Sequence, residues 1–131
     1  MINSLQIKEM IVFKLLIAGS RSIESFDLSP YVPSETELII SGGAKGVDYI
    51  AEKYADEHRI SKLILRPKYK LYGKSAPLKR NKAMVELADA VVVVWDGNSR
   101  GASCTIKYAE KLGKSLTVII CEKASINVCA N

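Results

Sequence analysis

The sequence has few of the residues that build metal sites and disulfide networks. It contains one histidine, His58, and three cysteines, Cys104, Cys121 and Cys129. Their spacing matches no zinc-binding pattern, and three cysteines do not complete an even disulfide framework. We therefore expect reduced thiols and no metal site.

Long apolar runs are also missing. No stretch reaches the roughly 20 apolar residues that span a bilayer, and the first ten residues lack the apolar core of a secretory signal. We therefore expect a cytoplasmic protein without a membrane partner. The 131 residues, 48% hydrophobic and 25% charged, are typical of one soluble domain over residues 1–131, with its core at about 11–121.

Acidic residues are absent from one stretch of the chain. Residues 66–82 contain seven lysines and arginines and no acid, whereas the whole chain has a net charge of +5. Such a run is either a solvated loop or an anion site, and Tyr69 and Tyr72 within it could stack on bases. Single-stranded nucleic acid is therefore an alternative partner.

Five apolar segments are typical of buried β-strands. The four consecutive valines in one of them leave no polar face, as in a central parallel strand that is covered on both sides. The five segments are Ile11–Gly19, Glu37–Ser41, Ser61–Pro67, Asp89–Asp96 and Lys114–Cys121.

Three segments with helical periodicity lie between the later strands. They are Val47–His58, Ala76–Ala88 and Ser99–Leu112. The segment Ser22–Thr36, which contains two prolines, is expected to be a loop with one or two helical turns. Alternating strands and helices predict an α/β fold, a three-layer Rossmann-like domain with a mostly parallel sheet of about five strands.

Glycines and small polar residues follow three of the predicted strands. The first strand runs into Gly19-Ser20-Arg21, the second into Ser41–Asp48 and the fourth into Trp95–Gly101. Ligands of open parallel sheets bind beyond the carboxyl ends of the strands, so these loops should open onto the same edge. Glycines admit a ligand close to the backbone, and helix N-termini, serine and arginine favour phosphate. The three loops together predict a crevice for a nucleotide-type ligand.

Each loop also has an ordinary structural explanation. Glycine-rich turns between a strand and a helix are common, and the spacing here matches neither the dinucleotide fingerprint nor the P-loop. Asp48 and Asp96 could accept hydrogen bonds from ribose hydroxyls, but Asp48 is also a normal acid for the first turn of a helix. Trp95 is either a core residue or a surface for stacking on a base.

The candidate ligand-binding residues lie at these strand ends or on the helix that contains the sequence LKRNK. We expect the phosphate on the loop 42–46 and the ribose or base nearer to the fourth strand. No catalytic residue and no definite cofactor is assigned. The candidates are Gly19, Ser20, Arg21, Ser41, Gly42, Gly43, Gly46, Asp48, Arg80, Asn81, Trp95, Asp96, Gly97, Ser99 and Gly101.

Four segments occur in an order that is similar to a known family: IAGSR, SGGAKGVD, LKRNKAMVELADAVVVVWDG and SRGASCTIKYA. The chain resembles the SLOG superfamily of Rossmann-like proteins, in particular its small YspA-like branch, from Phe13 to Ile120. The superfamily includes the LOG phosphoribohydrolases, which release cytokinin bases from nucleotides, and the DNA-processing protein A family, which binds single-stranded DNA. The resemblance implies a three-layer α/β fold, a nucleotide-derived ligand on the glycine loops and self-association into a homo-oligomer.

The chain departs from the LOG pattern at the expected catalytic position. LOG enzymes use a glutamate in a G-T-x-x-E loop together with an arginine, which Arg80 matches loosely. The segment GASCTI places Thr105 where that glutamate is expected, and Glu110 lies more than a helical turn beyond it. A hydroxyl cannot replace the carboxylate near an oxocarbenium centre. We therefore expect ligand binding or sensing, with a nucleoside 5′-monophosphate phosphoribohydrolase as the alternative.

Overall fold

The computed structural model describes residues 3 and 12–121, and five β-strands in this part of the chain form one sheet. The strands are β1 (Phe13–Gly19), β2 (Thr36–Ser41), β3 (Ser61–Ile64), β4 (Ala90–Trp95) and β5 (Ser115–Ile120). All neighbouring strands are parallel, in the order β3-β2-β1-β4-β5. The predicted sheet of about five strands is confirmed, although Ile11, the predicted start of the first strand, lies outside the described residues.

In the described part of the chain, three α-helices pack against the sheet, and a further one is a single turn. The three predicted helices end within one residue of the expected bounds. The segment between β1 and β2 contains one 3₁₀ turn, Ser29–Tyr31, as expected. The single-turn helix and the 3₁₀ turn after it, Gly73–Ser75, lie in the first part of the basic stretch, before the predicted helix that begins at Ala76. The helices are α1 (Val47–Glu57), α2 (Tyr69–Tyr72), α3 (Ala76–Leu87) and α4 (Arg100–Lys111).

The central strand β1 buries both of its faces. Leu15 and Ile17 belong to a core that includes Val47 and Ala51 of α1, because alternate side chains of a strand point to the same face. Leu16 and Ala18 face the opposite side and belong to a second core with α3 and α4, represented by Met84, Val85, Ala102 and Ala109. One helix layer on each face gives the predicted three-layer, Rossmann-like architecture.

The strand order fixes where a crevice opens. From β1 the chain adds β2 and β3 on one side, and it then crosses to add β4 and β5 on the other side. The direction of winding therefore reverses between β1 and β4. In open α/β sheets such a switch point lies beside the ligand site, beyond the carboxyl ends of the strands.

The cysteines differ from the expectation. Cys104 is free, but Cys121 is disulfide-bonded, so the prediction of reduced thiols is wrong for Cys121. An odd number of cysteines excludes complete pairing but still permits one bond. Cys129 lies outside the described residues. Among residues 3 and 12–121, no helix has both the length and the apolar character that crossing a bilayer requires.

Candidate functional site

The loops that follow β1 and β2 are joined through their backbones. The N–H of Val47 donates a hydrogen bond to the carbonyl oxygen of Ser20 at 3.2 Å. Gly46 has a φ of 80°, and a Cβ at this position would overlap the Ser20 carbonyl and the Arg21 backbone. Only glycine satisfies both the conformation and the close approach. The two loops therefore form one continuous wall.

The loops that follow β1 and β4 are also joined. Ser20 is buried, its N–H donates to the carbonyl of Val94 at 3.0 Å, and its Oγ accepts from the N–H of Asp96 at 2.9 Å. Gly19 allows this approach, because a Cβ there would overlap the Val94 carbonyl and the Val47 side chain. Gly19 and Ser20 thus hold the edge of the sheet together.

These loops and the N-terminal parts of α3 and α4 surround a cleft of about 400 Å³. Six predicted residues, Ser20, Ser41, Gly46, Trp95, Asp96 and Gly97, are not part of its lining. The other nine candidates line the cleft: Gly19, Arg21, Gly42, Gly43, Asp48, Arg80, Asn81, Ser99 and Gly101.

Three arginines, Arg21, Arg66 and Arg80, line this cleft. Arg80 is half-buried, and its Nη1 donates to the carbonyl oxygens of Gly42 at 2.6 Å and Leu65 at 3.1 Å. Burial lowers the pKa of Arg80, while the charge of a neighbouring carboxylate opposes the shift. A guanidinium nevertheless stays protonated in proteins, so the cleft keeps its positive charge.

Asp48 is a buried carboxylate in the wall of the cleft, only 8% exposed. Its Oδ2 accepts the N–H of Ala44 at 3.1 Å. The pKa of Asp48 is raised to about 6, mainly by burial and in smaller part by the charge of Glu52, while the Ala44 hydrogen bond and the charges of Arg80 and Arg21 act in the opposite direction. This carboxyl group therefore exchanges its proton within one or two pH units of neutrality.

The hydroxyl group of Ser41 organises the glycine loop itself. Its Oγ accepts the N–H of Gly43 at 3.2 Å and donates to Oε2 of Glu52 at 2.9 Å. Ser41 is fully buried. Its oxygen therefore has protein partners, and it stabilises the turn that the sequence assigns to phosphate.

Asp96 has a similar role in the loop after β4. Its Oδ1 accepts the N–H groups of Asn98 at 2.8 Å and Ser99 at 3.1 Å. These hydrogen bonds, the one from Asn98 most of all, hold the pKa of Asp96 below its usual range. Ser99 then caps α4, since its Oγ accepts the N–H of Ala102 at 3.3 Å.

Trp95 and Gly97 line a different depression, an open groove of about 840 Å³ between α3 and α4. Side chains alternate along β4, so Trp95 lies on the α3 and α4 face while Val94 packs toward α1. The indole Nε1 is buried and has no hydrogen-bond partner within residues 3 and 12–121. Trp95 therefore packs against the core on the α3 and α4 face and lines this groove, and it does not line the cleft.

Thr105 lines the cleft and is 2% exposed. Its Oγ1 donates to the carbonyl oxygen of Gly101 at 3.1 Å, one helical turn earlier. Glu110 is exposed and is not part of the lining. Among the cleft-lining residues in the described part of the chain, the only carboxylate is Asp48.

Sequence reasoning did not include Arg66 and Tyr69 among the site residues, although both line the cleft. Arg66 follows β3 closely, and its Nη1 donates to the carbonyl of Gly43 at 3.2 Å. Two signals were available, because the basic stretch 66–82 was already a possible anion site and β3 is a fourth parallel strand whose carboxyl end opens onto the same edge.

Comparisons of the chain with protein-family models, with curated proteins and with solved structures give no match. Among residues 3 and 12–121, no group of three or more histidine, cysteine, aspartate or glutamate side chains is placed to hold a metal ion.

Proposed function

We propose that the protein binds a nucleotide or a nucleotide derivative, as a ligand-sensing protein, at the carboxyl edge of its sheet. The observation that carries this proposal is the convergence of the glycine loops and three arginines on one cleft at the switch point. A volume of about 400 Å³ lies within the range of small-molecule sites. The resemblance to the SLOG superfamily supports the same class of ligand.

The phosphate is assigned to the arginine side of the cleft. Arg21 is exposed and lines the cleft, so its guanidinium is accessible for a two-pronged contact with a phosphoryl group. Arg66 and Arg80 are anchored to backbone carbonyls and contribute fixed positive charge. The ribose and base then extend toward Ser99 and Gly101 at the start of α4.

Calorimetric titration with AMP, cyclic AMP, NAD and ADP-ribose tests this assignment. We expect at least one of them to bind, and we expect Arg21→Ala to weaken that binding by about tenfold or more. Arg59→Ala is the matched control, because Arg59 is an exposed arginine that does not line the cleft. Absence of binding for the whole panel, or equal effects of the two variants, would overturn the proposal.

An N-glycosidic hydrolase acting on a nucleoside 5′-monophosphate is the enzyme alternative. The proximity of a carboxylate, Asp48, to Arg80 in one cleft favours it, whereas the hydroxyl of Thr105 at the LOG glutamate position does not. This alternative predicts that the protein releases the base from AMP, and that both Arg80→Ala and Asp48→Asn abolish the release. A protein that binds AMP but leaves it intact excludes this alternative.

Single-stranded nucleic acid is the other alternative, and a surface patch favours it. Tyr69 is 60% exposed and Tyr72 is 42% exposed, and the Nζ of Lys79 lies 5.0 Å from the centre of the Tyr72 ring. Exposed rings among lysines are typical of stacking surfaces for bases. Oligonucleotide affinity should then fall steeply with salt and be lost in Tyr72→Ala but not in Arg21→Ala. A flat salt response removes this alternative.

A further inference from the structure

The carboxylate of Asp48 occupies part of the position at which the backbone N–H groups of the glycine loop, residues 42–46, would otherwise bind an anion. Its Oδ2 accepts the N–H of Ala44 at 3.1 Å, just before α1 begins. The neighbouring N–H of Gly43 is bound to the hydroxyl oxygen of Ser41. The loop therefore already directs two of its N–H groups at oxygen atoms of the protein itself. An anion that enters here must replace or accommodate the Asp48 carboxylate.

Gly42 brings this carboxylate close to Arg80. A Cβ at Gly42 would lie 2.9 Å from Asp48 Oδ2 and 2.8 Å from Arg80 Nη1, so both groups lie against the bare glycine. Asp48 and Arg80 also line the same cleft. A phosphoryl group attracted by Arg80 would therefore lie beside Asp48, and two negative charges so close together disfavour each other.

We propose that binding of a phosphoryl group in this cleft is coupled to the uptake of one proton by Asp48. The inference rests on the proposed function and adds a regulatory property to it. In the protonated state Asp48 carries no charge, and its O–H can donate a hydrogen bond to a phosphoryl oxygen. In the ionised state it competes with the ligand for Ala44 and Arg80. The affinity of the cleft for anions therefore rises as the pH falls.

The charged groups around Asp48 allow this exchange. Glu52, one turn further along α1, favours the protonated form, whereas Arg80 from α3 and Arg21 after β1 favour the carboxylate. Arg66 after β3 adds a further positive charge to the cleft, and Tyr69 of α2 lines the cleft beside it. The lining residues that α4 and its cap contribute are uncharged: Ser99, Gly101, Ala102 and Thr105. Burial dominates this balance and gives a pKa of about 6, so the proton is exchangeable near neutral pH.

Sulfate is a suitable probe because it stays a dianion between pH 5 and pH 8, whereas a phosphate monoester titrates in this range. Cyclic AMP, a phosphodiester of constant charge, serves as a larger probe. We expect the affinity of the native protein for either probe to fall by up to about tenfold per pH unit above pH 6. Asp48→Asn should bind at pH 8 as tightly as the native protein binds at pH 5, with a flat pH response.

Two control variants separate Asp48 from other titrating groups. Asp56→Asn removes an exposed carboxylate of α1 that pairs with Lys62 outside the cleft, and it should leave the pH response unchanged. His58→Gln removes the only histidine, which is exposed at the end of α1, and it should also leave the response unchanged. Loss of the pH response in either control would overturn the assignment to Asp48.

Proton uptake can also be measured on the native protein, which makes the test independent of how well the variant folds. Titrations at pH 7 in two buffers of different ionisation enthalpy should give close to one proton bound per probe molecule. Binding without proton uptake would overturn the coupling and leave the proposed function in place. Failure of sulfate and of every nucleotide to bind, even at pH 5 and in Asp48→Asn, would overturn both.

Discussion

Arg80 on α3 donates a hydrogen bond from Nη1 to the carbonyl oxygen of Gly42 at 2.6 Å, across 38 residues of sequence. The same nitrogen reaches the carbonyl of Leu65, so one guanidinium joins α3 to the ends of β2 and β3. This contact shapes one side of the cleft, and it makes Arg80 a structural residue as well as a candidate for ligand binding.

Arg80→Ala should therefore lower the free energy of unfolding even without a ligand. Two carbonyl groups lose a charged donor, for which we expect a loss of about 1–3 kcal/mol. Urea unfolding of the unliganded protein measures it. Lys79→Ala is the control, since Lys79 is exposed on the same helix, and its effect should remain within about 0.5 kcal/mol. Equal effects of the two variants would contradict the role of Arg80.

Ser20 and Ser22 form a second matched pair, because both hydrogen-bond to Asp96. Ser20 is buried and accepts the Asp96 N–H, whereas Ser22 is exposed and donates to the Asp96 carboxylate at 3.2 Å. Ser20→Ala leaves a partly buried N–H without its partner and should cost about 1–3 kcal/mol in the free energy of unfolding. Ser22→Ala should cost at most about 0.5 kcal/mol. Thermal unfolding of the two variants provides the comparison, and the reverse order would be evidence against this account.

Gly19 and Gly101 should respond in opposite ways to the same substitution. A Cβ at Gly19 overlaps the Val94 carbonyl and the Val47 side chain, so Gly19→Ala should destabilise the fold by roughly 3 kcal/mol or more. A Cβ at Gly101 would be 3.7 Å from the Asn81 side chain, which is an ordinary contact. Gly101→Ala should stabilise α4 by up to about 1 kcal/mol. The urea midpoints of the two variants and of the native protein measure these changes. A Gly19→Ala variant as stable as the native protein would contradict the predicted overlap.

Asp48 should make the stability of the protein depend on pH. Its pKa rises from 3.8, the ordinary value expected in the unfolded chain, to about 6 in the folded protein. The folded state therefore holds the proton more tightly. The resulting stabilisation is complete below about pH 4 and is lost as the pH rises through about 6.

Asp48→Asn removes this titration. Between pH 4 and pH 7.5, the unfolding free energy of the variant relative to the native protein should increase by on the order of 2–3 kcal/mol. Urea unfolding at the two pH values measures the difference. A constant difference between the two proteins would show that Asp48 does not titrate as described.

The fold was predictable because its signals are periodic and repeated. The valines of β4 and the helical spacing in α1, α3 and α4 each extend over several residues, so their bounds agree closely with the structure. The shared edge followed from the parallel order of the strands. In contrast, α2 has four residues, too few to show a helical period.

The chemistry of the cleft was less predictable, because it depends on contacts between distant residues. The buried hydroxyl of Ser20 is engaged by Asp96, which lies 76 residues away. The raised pKa of Asp48 comes from burial in the folded chain, and no local pattern of residues specifies it. The face of the sheet on which Trp95 lies could not be predicted without knowing which residues of β4 point to which side, since one step along a strand moves a side chain to the opposite face.

The close contact of Gly46 with the backbone of Ser20 and Arg21 has a consequence for affinity. Two loops in such contact cannot move independently, so the wall of the cleft is already assembled before a ligand arrives. Ordering a mobile loop would otherwise oppose association, and a preorganised wall avoids that loss of conformational entropy. On the proposed function, an incoming ligand would meet a wall that already has its binding conformation, so fewer contacts would be needed to hold it.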